Sequence, residues 1–117
     1  DKADTIMVSH ITVTSVDKLP SSLSYEIITR KLRNELGYNG VIITDSMAMG
    51  AVADSYTSDI AAVMAVKAGV DIILMPENFE KAFNGVLNAV KSGEISISRI
   101  EESAERVLTL KAKYKII

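Results

Sequence analysis

Asp45 stands at the end of the run Gly40-Val41-Ile42-Ile43-Thr44 and is followed by Ser46-Met47. The run is rich in β-branched residues, the composition of a buried parallel strand. The carboxylate therefore falls at the strand's C-terminal end, where α/β folds build their sites because loops converge over open strand ends. A charge at the edge of a core is costly unless it has a partner or a task. Held there, it can attack an electrophilic carbon, accept a phosphoryl group or cap the turn that follows. His10, the single histidine, also ends an apolar run, Thr5-Ile6-Met7-Val8-Ser9. A histidine so placed is either held by a neighbour or touches a ligand. Met47, Met49 and Met75 fall near the same rim, as packing residues or as an apolar wall.

Composition removes several classes of function. The 117 residues are 48% hydrophobic and 24% charged, which suits one globular core. The net charge is −2 and no basic run occurs, so an electrostatic nucleic-acid footprint is absent. No apolar run approaches the roughly 18 residues of a membrane span, and no signal-peptide pattern opens the chain. With no cysteine, thiol catalysis, disulfides and thiolate metal sites are excluded, and one histidine excludes a multi-histidine metal site within one chain. Cysteine-free chains occur on both sides of membranes, so cytoplasmic and secreted or cell-wall locations both fit.

Three strand-like runs must position these residues: 5–9, 41–44 and 71–75. A helical pattern follows each. Ser24 is a predicted N-cap, Ile28, Leu32 and Leu36 line one face, and Gly37 is a stop. Ser58 or Asp59 opens a helix through Ala68, whose face of Ala61, Ala62, Ala65 and Ala68 permits close approach to a sheet. Pro76 and Asn78 open a third helix carrying Ala82, Phe83, Val86, Leu87 and Val90, and Gly93 ends it. A last helix starts near Ser96 or Ser98, with Ser98-Arg99-Ile100-Glu101 as a capping box. Its predicted inner face is Ile100, Ala104, Val107 and Leu108, and its outer face Arg99, Glu101, Glu102, Glu105 and Arg106. The order is βαβαβα plus one helix, an α/β unit of parallel strands with right-handed crossovers. Three strands leave two open edges. Asp71, beginning its strand, is predicted at the face opposite Asp45, where residues serve stability.

At these residues the chain resembles the catalytic domain of glycoside hydrolase family 3, in its β-N-acetylglucosaminidase (β-N-acetylhexosaminidase) branch. Leu32-Arg33-Asn34-Glu35-Leu36-Gly37-Tyr38-Asn39-Gly40 through Thr44-Asp45-Ser46-Met47 resembles the family signature. Ala3 to Ile11 resembles the sixth strand of its barrel, Leu19-Pro20-Ser21-Ser22-Leu23-Ser24 the lead into the next helix, Ala68 to Pro76 the eighth strand, and Ile100 to Lys113 the closing helix. The resemblance implies that residues 1–117 are one unit, the C-terminal portion of a (β/α)₈ TIM barrel. It implies Asp45 as the nucleophile of a retaining glycosidase, forming a covalent glycosyl intermediate. The implied substrate carries terminal β-linked N-acetylglucosamine or a related β-sugar, from chitin or from cell-wall recycling. His10 and Met47 are the candidate sugar contacts, and no metal or organic cofactor is called for. The branch's Lys-His-Phe-Pro-Gly-His-Gly-like acid/base segment does not occur here. A barrel needs about 250 residues. The chain by itself is therefore expected to be inactive, completed by an upstream barrel half or by self-association through its open strand edges.

Two other readings compete. An Asp ending a central parallel strand also describes the phosphoacceptor of receiver domains. Those require an acidic pair after the first strand and a Lys after the last, where this chain has Ser9-His10 and Pro76-Glu77. The second is a non-catalytic remnant that only assembles.

Overall fold

The computed structural model describes residues 3–117. Strand β1 (Thr5–Val8) and strand β2 (Val41–Thr44) pair in parallel, Thr5 opposite Val41 and Val8 opposite Thr44. Between them lie a short 3₁₀ turn (Ser21–Leu23) and a π-helix (Glu26–Glu35). After β2 come α1 (Gly50–Ala53), α2 (Ser58–Ala68), α3 (Phe79–Lys91) and α4 (Ile97–Lys113). Helices cover one face of the sheet. The core is formed by Leu23, Ile28, Ile42, Met47, Val52, Ala61, Ala65 and Val70.

The expected third strand, 71–75, is corrected to one parallel bridge, Ile43 to Ile72. The segment does run beside β2, but side chains replace backbone partners at both ends of the ladder. The Ile42 N–H donates to Asp71 Oδ2 at 2.9 Å, and the Leu74 N–H donates to Thr44 Oγ1 at 3.0 Å. Regular pairing survives between them, from Ile72 N–H to Ile42 O (3.1 Å) and from Thr44 N–H to Ile72 O (3.1 Å).

The first predicted helix is wound as a π-helix, with Leu36 N–H donating to Lys31 O five residues back. The wider turn breaks the four-residue register. Ile28 is fully buried, Leu32 packs on the core, and Leu36 swings out to solvent. Gly37 then takes φ +67°, the expected stop. Ser24 caps as expected, accepting from the Ile27 N–H at 3.2 Å. Asn78 caps α3 through the Lys81 N–H. The α4 cap is Ser96, which accepts from the Arg99 N–H; the Ser98–Glu101 box goes unused, and the Ser98 hydroxyl meets that of Ser96. Ala104 and Leu108, expected on the inner face of α4, are exposed, as are Phe83 and Leu87 of α3.

Arg99 and Arg106 are corrected from an outer face to an inner one. Asp71, with no exposed side-chain surface, accepts from Arg33 Nη2 (2.5 Å), Arg106 Nη1 (3.0 Å) and Ser103 Oγ (2.6 Å) besides the Ile42 N–H. Arg99 donates to the carbonyls of Val66 (3.0 Å) and Val70 (2.6 Å). Burial pulls both Arg33 and Arg99 below the ordinary arginine value, and the Asp71 charge opposes that. Removing one member of a buried ion network strands the others. Asp71→Ala in the protein that carries this chain is expected to lose about 3–5 kcal/mol of stability, read by chemical denaturation.

A second tie joins the start of β1 to the end of α4. Lys113 Nζ lies 2.5 Å from Asp4 Oδ1, and the Tyr114 hydroxyl donates to Asp4 Oδ2. The Lys113 bond, then that of Tyr114, holds the Asp4 carboxyl below its usual range. Asp4 in turn raises Lys113 and Tyr114. A depressed carboxyl stabilises fully above its unfolded pKa of about 3.9, and that contribution is lost as pH falls through the lower folded value. A raised lysine stabilises fully below about 10.4, and that contribution is lost as pH rises through the folded value. The Tyr114 ring resonances are expected to move toward free-tyrosine positions at both pH extremes and to stay constant between them.

Candidate active site

Parity along the strands decides which way the rim residues face. Residues 42 and 44 point to the helices, where Ile42 and Thr44 are fully buried. Asp45 shares its parity with Ile43 and, across the paired register, with Met7, which is 55% exposed. The carboxylate thus emerges on the open face. Thr44 does not orient it. The Thr44 hydroxyl is on the helix side, engaged with the Leu74 N–H.

Three chain segments converge on the turn that carries Asp45. The Asp45 N–H donates to Val8 O (2.9 Å) at the end of β1, and the Met47 N–H to Leu74 O (2.9 Å). The Ser46 N–H donates to Asp45 Oδ1 at 2.7 Å. Among the described residues Oδ1 has this donor and no donor is bonded to Oδ2.

His10 lies beside this turn and is 8% exposed. Its Nε2 is 2.8 Å from Ser46 O, and its Nδ1 is 2.7 Å from Ser22 Oγ. A carbonyl only accepts, so Nε2 carries the hydrogen; in the neutral ring Nδ1 accepts from the Ser22 hydroxyl. Met47 is 4% exposed and packs in the core beneath the turn, while Met49 and Met75 are exposed. Asp71 sits at the other end of β2, beside Ile42.

Sequence reasoning did not single out Ser22. A signal was present: Ser21, Ser22 and Ser24 follow Pro20 and are all buried. Each holds the loop after β1, Ser21 at Ile11 O (2.5 Å), Ser22 at His10 and Ser24 at Asp17 Oδ2 (2.5 Å). Among the described residues no group of three His, Cys, Asp or Glu is placed to hold a metal ion. No helix there is long and apolar enough to cross a membrane. Grooves of about 830 and 460 Å³ lie among the helices, and Asp45 lines neither.

Residues 1–110 match the model of the glycosyl hydrolase family 3 N-terminal domain. The chain belongs to glycosyl hydrolase family 3. A family member of solved structure, a β-N-acetylglucosaminidase from Paenibacillus sp., is 41% identical and superposes with a TM-score of 0.91 over 95% of this chain and 22% of its own. An uncharacterized secreted glycosyl hydrolase of Arthroderma benhamiae is 36% identical over 115 residues, 94% of this chain and 33% of its own length. β-Hexosaminidase A of Pseudoalteromonas piscicida is 33% identical over 103 residues, 80% of this chain and 17% of its own length. The chain therefore spans a third or less of these family members. The α/β arrangement of parallel strands backed by helices is shared with the solved structure from Paenibacillus.

Within this family domain the Thr44 hydroxyl is the sole partner found for the Leu74 N–H among the described residues. Thr44→Val keeps the shape and removes the acceptor. It is expected to cost about 1–3 kcal/mol, seen as a lower unfolding midpoint with an unchanged denaturant slope.

Proposed function

We propose that this chain is the nucleophile-bearing, C-terminal portion of a (β/α)₈ barrel domain in a retaining β-N-acetylhexosaminidase. The observation that carries the reading is Asp45: a carboxylate at a strand's C-terminal end, on the open face, with Oδ1 pinned by the Ser46 N–H. The relatives named β-hexosaminidase and β-N-acetylglucosaminidase supply the substrate class, terminal β-linked N-acetylglucosamine or a related β-sugar. The barrel reading is supported by β1, which has a partner on one edge only, and by the segment 71–74, which pairs only with β2 among the described residues.

In this reading Oδ2 of Asp45 attacks the anomeric carbon while the bond to the leaving oxygen breaks. The leaving oxygen takes a proton from a general acid elsewhere in the parent protein. Water then attacks the glycosyl–Asp45 ester with help from the same group acting as base, and the carboxylate is released. His10 is a poor candidate for that acid, because both ring nitrogens are already engaged. Met47, by its burial, serves as the packing residue beneath the turn rather than as an exposed sugar wall. Chitin fragments and cell-wall recycling intermediates are the substrates this reading points to.

Asp45→Asn in the full-length protein is expected to lower kcat on an aryl β-N-acetylglucosaminide by roughly 10⁴-fold or more. A fluorinated, slowly released N-acetylglucosaminide is expected to add one sugar mass to the wild-type peptide containing Asp45 and none to the variant. Retained turnover, or labelling on another peptide, would overturn the assignment.

A further inference from the structure

We infer that His10 is a positioning residue for Asp45, acting through the Ser46 carbonyl, with Ser22 fixing its ring. The inference rests on the reading of Asp45 as nucleophile. The ladder of β2 ends at the Asp45 N–H, and from Ser46 onward the chain is loop. A nucleophile needs its oxygen within about 3–3.5 Å of the carbon it attacks, and a displacement of about 1 Å can lower a rate roughly 10²-fold. A strand that stops at the reactive residue leaves its side chain on a mobile hinge unless the next peptide is also held.

Here it is held. The Ser46 N–H fixes Oδ1 of Asp45, so the orientation of the carboxylate follows the orientation of the Ser46 backbone. The Ser46 carbonyl accepts from His10 Nε2 at 2.8 Å and from the Met49 N–H at 3.2 Å. Of the two, the Met49 bond is local to the turn and moves with it. The His10 bond spans 36 positions in the chain and ties the turn to the end of β1.

His10 is itself fixed. Ser22 is fully buried, its N–H donates to Ser9 O at 3.2 Å, and its hydroxyl meets Nδ1. With Ser22 donating to Nδ1, the ring's one N–H is on Nε2, pointed at Ser46 O. The arrangement Ser22–His10–Ser46–Asp45 is therefore continuous, each link 2.7 or 2.8 Å long. A sugar hydroxyl could reach a ring nitrogen only by displacing Ser22 or Ser46, which separates this role from direct sugar binding.

The test compares four variants of the full-length protein by kcat, KM and the rate of covalent trapping by the fluorinated sugar. His10→Phe fills the ring volume without a donor, and kcat and the trapping rate are expected to fall about 10- to 100-fold with KM nearly unchanged. His10→Gln can place an amide N–H near the Nε2 position and is expected to recover most of that loss. Ser22→Ala frees the tautomer and is expected to lower kcat by a smaller factor in the same direction. Unchanged kcat in His10→Phe overturns the role. So does a rise in KM alone, which means sugar contact, or an equal loss in His10→Phe and His10→Gln, which means ring packing. Should the Phe variant fail to fold, Ser22→Ala decides: wild-type kcat and trapping there overturn the inference. Asp45→Asn is run beside them. An active Asp45→Asn removes the nucleophile reading and this role together, whereas an inactive one beside a fully active His10→Phe removes the His10 role alone.

Discussion

One buried carboxylate organises the fold. Asp71 stands where the third segment begins, and its two oxygens reach the π-helix through Arg33, α4 through Ser103 and Arg106, and β2 through the Ile42 N–H. These elements are far apart in sequence, and Asp71 gives each of them a shared polar partner. Hydrophobic side chains of similar volume often match a buried ion network in stability. What such a network adds is direction, because a carboxylate flanked by planar guanidiniums accepts few geometries. Arg33 extends the effect by donating to the carbonyls of Tyr38 (3.2 Å) and Gly40 (2.6 Å), which sets the entry of the chain into β2.

The consequence is felt at the other end of that strand. Four residues at about 3.3 Å each separate the Asp71 end from the Asp45 end. With the entry fixed and the side-chain period two, the face on which Asp45 emerges is fixed as well. The turn beyond is then held from both flanks, by β1 through Val8 and His10 and by the 71–74 segment through Leu74. In the proposed reading of Asp45 as nucleophile, a rigid strand with an anchored turn is what the carboxylate requires, since loops without such anchors sample positions too wide for an in-line attack.

Much apolar surface lies outside this core. Met7 and Ile11 near β1, and Phe79 and Phe83 stacked on α3 with ring centroids 6.2 Å apart, face outward. Together with the edge of β1 that has no strand partner among the described residues, this is the surface that the barrel reading would cover, and the family members of known structure are several times longer than this chain.

The sequence by itself determined the elements whose signals are local. β-Branched runs placed β1 and β2, the alanine face placed α2, though its N-cap is Thr57 without a side-chain bond rather than Ser58 or Asp59, the Asn78 cap placed α3, and glycines 37, 69 and 93 marked where helices end, each with positive φ. The same local reading put Asp45 and Asp71 at opposite ends of the sheet, because strand ends follow from run ends. The tertiary structure alone decided what depends on distant partners. Asp71 and Thr44 replaced backbone groups in the third strand's ladder, an exchange that periodicity cannot show. Arg99 and Arg106 carry the pattern of an outer helix face, and partners remote in sequence turned them inward, the Val66 and Val70 carbonyls for Arg99 and the Asp71 carboxylate for Arg106. His10 looked like a lone rim histidine until Ser22 and the Ser46 carbonyl were brought to its two nitrogens. Hydrophobic periodicity reports burial along one segment. A polar group declares its role only when the chain has folded and its partner, however remote in sequence, lies within about 3 Å.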